Sequence, residues 1–97
     1  VARESAQEKA TVRLLESLDF VARKDGRDGW PDRLVLMGRN RHCWIEHKTD
    51  RGRLTPAQRR VFPKLEERGD LIIYGKGKTA LEIANEVMAF ARPGFAR

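Results

Sequence analysis

The stretch from residue 49 to residue 70 places the tightest limit on what this chain can fold into. Thr55 followed by Pro56 opens a helix there, with threonine as N-cap and proline at the first helical position, and Gly69 stops it. Upstream, an apolar run at 31–37, a Gly38-Arg39-Asn40 turn and a second strand-like run at 41–48 read as a β-hairpin. Downstream, residues 71–74 form a short apolar strand. A helical crossover between hairpin and strand permits parallel pairing, which a tight turn forbids. A mixed sheet with helices packed on it is the expected result. Residues 3–18 read as an amphipathic helix, because Glu4, Glu8, Val12, Leu15 and Leu18 recur at three- and four-residue steps. Residues 20–23 alternate like a short strand. After a turn at 75–78, residues 79–91 form a last amphipathic helix that ends before Pro93-Gly94. The order is helix, three strands, helix, strand, helix, in an α/β fold. Pro63 conflicts with the middle helix, since it removes a backbone hydrogen bond and is expected to kink it.

A chain of 97 residues supports one core, so residues 1–97 are expected to form a single domain. Its 20 Lys and Arg against 14 Asp and Glu leave a net charge of +6, which suits a polyanion such as nucleic acid or an anionic membrane. Arginine dominates the excess, and its guanidinium makes bidentate contacts to phosphate. Arg51, Arg53, Arg59, Arg60 and Lys64 crowd into one short stretch and are the expected DNA-backbone contacts. The lone Cys43 has no partner for an internal disulfide, which fits a reducing compartment, and it reads as core filler. No apolar run approaches the roughly 18 residues of a membrane span, and no signal-peptide pattern opens the chain, so a cytoplasmic protein is expected.

The chemistry concentrates at the hairpin. Asp32 follows Pro31 at the start of one strand, and Glu46-His47-Lys48 ends the next. Side chains alternate across a strand, so Glu46 and Lys48 point the same way, and a modest splay of the hairpin sets Asp32 beside Glu46. Two adjacent carboxylates repel unless a cation neutralises them. Hard oxygen donors favour Mg²⁺ or Mn²⁺ over Zn²⁺. A lysine beside such a cation orients an attacking water or holds a phosphate. These parts together serve phosphodiester hydrolysis.

The runs Gly29-Trp30-Pro31-Asp32-Arg33-Leu34-Val35-Leu36, Trp44-Ile45-Glu46-His47-Lys48 and Leu54-Thr55-Pro56-Ala57-Gln58, with the opening Glu4-Ser5-Ala6-Gln7-Glu8-Lys9, resemble the VRR-NUC branch of the PD-(D/E)XK nucleases. The resemblance covers nearly the whole chain. It implies a restriction-endonuclease-like core of order αβββαβα. It also implies that Asp32, Glu46 and the backbone carbonyl of His47 hold the metal, that Lys48 is the catalytic lysine, and that a first-helix glutamate completes the site. Glu8 lies nearer the sheet and is preferred, with Glu4 as the alternative. Gln58 becomes an auxiliary catalytic residue. Stand-alone phage and bacterial members of that branch imply a homodimer acting on branched DNA, including four-way (Holliday) junctions. His47 departs from the family, whose members often carry an apolar residue there.

Each residue also has a plainer reading. Asp32 alone would be a turn residue, and Glu46 and Lys48 alone a solvated strand face; their joint spacing favours a site. Thr55-Pro56-Ala57-Gln58 is also a capping box, and the capping and site roles of Gln58 stand level. His42 and His47 lack a second metal-ligand pair for zinc. Trp44 reads as core. Trp30 is either a packing plug or a base-stacking group, with packing preferred. Gly75-Lys76-Gly77-Lys78-Thr79 lacks the upstream glycine of a phosphate-binding loop and reads as a turn with Thr79 capping the last helix. The rival to a nuclease is a non-catalytic DNA-binding module on the same fold.

Overall fold

A computed structural model describes residues 5–47 and 51–91. Its first helix, α1, spans Ala6–Ser17. It starts later than the periodicity suggests, because Ser5 is extended and its Oγ accepts the Glu8 N–H at 3.1 Å. Asp19 ends the helix in the left-handed region at φ 68°, and the Phe20 N–H returns to the Leu15 carbonyl at 3.0 Å. Three strands follow: β1 at Val21–Lys24, β2 at Arg33–Gly38 and β3 at Arg41–Glu46. Arg39 and Asn40 both take positive φ, the geometry of a tight hairpin turn between twisted strands. A short 3-10 turn at Arg51–Arg53 leads into α2, Pro56–Glu67, after which β4 covers Ile72–Tyr74 and α3 covers Ala80–Ala91.

The four strands stand in the order β1-β2-β3-β4. β1 with β2 and β2 with β3 are antiparallel, whereas β3 with β4 is parallel. The expected mixed sheet is therefore formed, with α2 as the crossover that brings β4 alongside β3 in the same direction. α2 continues through Pro63 to Glu67, so the proline does not end it. Phe62 and Leu65, on either side of the proline, are both buried against the sheet, and that packing holds the segment helical at the cost of one backbone hydrogen bond.

Strand alternation divides the sheet into two faces. On one, Val35, Cys43, Ile45 and Ile73 pack with Leu15 of α1 and with Ile83, Ala84 and Val87 of α3. On the other, Trp44 and Ile72 pack with Phe62 and Leu65 of α2 and with Leu54 before it. The result is three layers, with α1 and α3 on one side of the sheet and α2 on the other. Among the described residues no helix is long and apolar enough to cross a membrane.

The β4–α3 turn approaches the end of β3 closely enough to demand glycine. An alanine Cβ at Gly75 would stand 2.7 Å from the His47 carbonyl oxygen and 2.8 Å from Gln7 Oε1, whereas one at Gly26 meets nothing within 4 Å. Gly75→Ala is expected to lower unfolding free energy by about 1–3 kcal/mol through overpacking, and Gly26→Ala to stay within about 0.5 kcal/mol of the parent. Urea denaturation of the two variants checks the contrast.

Candidate functional site

Asp32 immediately precedes β2 and His47 immediately follows β3, so both lie at one end of the hairpin. The Asp32 Oδ2 accepts the His47 N–H at 2.9 Å, and the Asp32 carbonyl accepts the Asp25 N–H at 2.9 Å. A side chain and a backbone carbonyl thus tie Asp32 to both neighbouring segments. Leu34 stands opposite Trp44 in the β2–β3 ladder. Carrying that register two residues further puts Asp32 opposite Glu46, on the face covered by α2.

Glu46 is only 4 % exposed. Burial of a carboxylate is costly unless charge or hydrogen bonds compensate it, and α2 supplies one such bond: Gln58 Nε2 donates to Glu46 Oε2 at 3.3 Å. The same amide accepts the Thr55 N–H on its Oε1 at 3.0 Å, while Thr55 Oγ1 accepts the Gln58 N–H at 3.1 Å. The capping role of Gln58 is therefore filled, and the same side chain also reaches Glu46. The capping box orients the amide, and its NH₂ end is left to face the carboxylate.

Glu8 is not brought to this face. Its Oε2 accepts the Arg33 Nε–H at 2.9 Å, and both side chains are at least nine-tenths buried. Arg33 shares its side of the strand with Val35, so the pair lies in the α1 layer, opposite Asp32 and Glu46. Glu4 and Lys48 lie outside the described residues. His47 also turns toward α1. It is 1 % exposed, with Nδ1 3.0 Å from Gln7 Oε1. Gln7 Nε2 donates to the carbonyls of Gly75 at 2.8 Å and Lys78 at 2.7 Å, which makes Oε1 the acceptor end and puts the shared proton on His47 Nδ1. The His47 carbonyl, named above as a metal ligand, lies close against Gly75.

Gln7 is a neighbour of this site to which sequence reasoning assigned no role. Its contacts run to partners 40, 68 and 71 positions away, and no local pattern marks it. Asp70 was likewise missed. Its Oδ2 accepts the Trp44 indole N–H at 3.1 Å, and its Oδ1 lies 3.1 Å from His42 Nε2. Trp44 is core, as expected, at 4 % exposure. Cys43 is core as well, and burial pushes its thiol up to about 12. Thr79 caps α3 in a box with Glu82, which fits the turn reading of the lysine-glycine stretch.

Arg51, Arg53, Arg59, Arg60 and Lys64 are all exposed. Arg51 is held by Glu66 through an N–O distance of 2.5 Å, which offsets part of its charge. Arg60 and Lys64 stand one turn apart on α2 and share a side of the helix.

Among the described residues no three His, Cys, Asp or Glu side chains group to hold a metal. What the site offers is two carboxylates, Asp32 and Glu46, at adjoining strand ends, and hard oxygen donors of this kind are the type that Mg²⁺ or Mn²⁺ prefers. Compared with known protein families, characterised proteins and solved structures, the chain shows no significant match.

Two stability measurements follow from this geometry. Arg33→Met leaves the Glu8 carboxylate buried without its guanidinium and is expected to cost about 3–5 kcal/mol in urea denaturation; a loss under about 1 kcal/mol would mean that the pair behaves as a surface one. Gln58→Ala removes half of the capping box and is expected to cost about 0.5–2 kcal/mol. Gln58→Glu retains the cap but turns a donor into a carboxylate facing Glu46, so its loss should appear at neutral pH and shrink on acidification, as calorimetry across pH would show.

Proposed function

We propose that the chain is a divalent-metal-dependent DNA endonuclease of the VRR-NUC branch of the PD-(D/E)XK nucleases, acting as a homodimer on branched DNA. The observation that carries this reading is Asp32, just before β2, accepting the His47 N–H beside buried Glu46 at the end of β3, with Gln58 of α2 hydrogen-bonded to Glu46. The order αβββαβα, with a parallel β3–β4 pair, accords with that fold.

In this reading Asp32 and Glu46 hold the cation, which when bound polarises the scissile phosphate and lowers the pKa of water. Gln58 aims the Glu46 carboxylate. Lys48 follows Glu46 by two residues, and its ammonium offsets charge building on the phosphate oxygens. Glu8 acts at one remove, since it anchors Arg33, the residue next to Asp32 in the chain. Gln7 fixes the segment that carries Glu46 and Lys48 through His47. The exposed basic residues of 51–64 meet the DNA backbone, where contacts position the duplex and shape rather than base sequence guides selection. Two copies related by a two-fold axis would present two such sites to the two strands of a junction.

Cleavage of labelled four-way junction and matched linear duplex with Mn²⁺ tests this directly. The parent is expected to cut the junction in preference. Asp32→Asn and Lys48→Ala are each expected to slow cutting at least about 100-fold while binding is retained. Equal cutting of linear duplex would remove the junction preference and keep the nuclease. Binding of DNA with no cutting in any divalent metal would leave the non-catalytic module as the better reading.

A further inference from the structure

A second feature on the α2 side of the sheet is lined by neither of the two carboxylates. A cleft of about 270 Å³ is lined by Trp30, Val61, Lys64, Leu65 and Arg68. Its composition is specific: one indole, two aliphatic side chains and two cations. The loop that carries Trp30 is fastened to α2. Gly29 takes φ +87°, and a Cβ there would stand 3.0 Å from the Ala57 carbonyl oxygen, so only glycine lets the loop lie this close to the helix. Trp30 is held from two more directions. The Arg27 guanidinium lies 3.8 Å from its ring centroid, and Trp44 packs at 5.3 Å with the rings tilted by 50°. Arg27 is oriented in turn by Asp25, at 2.6 Å. The indole is therefore preorganised, and packing and ligand contact are not alternatives for it.

We propose that this cleft binds one unstacked nucleobase of a DNA single strand, packed against Trp30, Val61 and Leu65, with the flanking phosphates on Lys64 and Arg68. Charge complementarity selects the occupant: apolar lining with an aromatic wall suits a base, and two exposed cations on the rim suit the phosphates on either side of it. The volume lies near the lower end of the roughly 300–1,000 Å³ of drug-sized ligand pockets and is large enough to admit a base. Lys64 belongs both to this rim and to the basic side of α2, so the cleft continues the surface assigned above to the DNA backbone. The inference rests on and deepens the nuclease reading, since an unstacked base is available in a single-stranded arm or an opened branch point but not in intact duplex. It would give this chain a physical means of preferring branched substrates.

The test separates this cleft from the catalytic reading. Binding of oligo(dT) and of blunt duplex is followed in EDTA, without divalent metal, by tryptophan fluorescence and by anisotropy of a labelled strand. The expected result is saturable quenching by oligo(dT) but not by duplex, with the quenching absent in Trp30→Phe/Lys64→Glu. Trp30→Ala is expected to weaken single-strand binding at least about fivefold. Lys64→Glu and Arg68→Glu change exposed side chains only and keep the proposal testable should Trp30→Ala fail to fold. Unchanged oligo(dT) affinity in both charge-reversal variants, or equal quenching by duplex, would overturn the proposal. With Mn²⁺, a folded Trp30→Phe/Arg68→Glu variant should lose the junction preference, read as the ratio of junction to linear-duplex cutting. Cutting lost from the parent itself would sink the nuclease reading while the quenching result still decides the cleft.

Discussion

Leu34 faces Trp44 across the β2–β3 ladder, and Trp44 faces Ile72 across the β3–β4 ladder. Everything else in the molecule is hung on that register. Because side chains alternate along a strand, a slip of one residue would turn Trp44 toward α1 and α3 and Cys43 toward α2, and would carry Glu46 to the opposite face. The register is well defined because both faces are buried by different partners. The α2 face takes the bulky Trp44 beside Phe62 and Leu65, and the other face takes the smaller Val35, Cys43 and Ile45 beside Leu15 and Ile83. Exchanging the two sets would leave a void on one side and a clash on the other.

The same register sorts the charged residues. Arg33 falls on the α1 face, where it is buried with Glu8, while its chain neighbour Asp32 falls on the α2 face. His47 and Glu46 divide in the same way. The first goes to Gln7 of α1 and the second to Gln58 of α2. Both outer layers thus hold the end of β3 by side-chain amides, one from each side. Amides suit this place, since each can donate and accept at once and so satisfies several buried groups without adding charge.

The carboxylates and the aromatic cleft share α2 as a support, and the two uses call on different parts of it. The first turn, with its Thr55–Gln58 capping box, faces Glu46, and the later residues Val61, Lys64, Leu65 and Arg68 line the cleft.

Much of this was legible in the sequence, because it rests on local rules. Thr55-Pro56 before an amphipathic run, Gly38-Arg39-Asn40 between two strand-like runs, and a helix between the hairpin and the last strand each have one economical solution, and together they imply a mixed sheet with Asp32 and Glu46 sharing a face. The capping half of Gln58's role was legible on the same terms. What only the tertiary structure decided are contacts between residues far apart in the chain. Helical periodicity placed Glu8 on the inner side of α1 but said nothing of whether it would meet the carboxylates or a cation, and the partner it found, Arg33, is 25 residues away. Gln7, Asp70 and the cleft beside Trp30 were invisible for the same reason. A one-dimensional pattern reports which face a side chain presents, whereas its partner depends on which segments the closed sheet brings to that face.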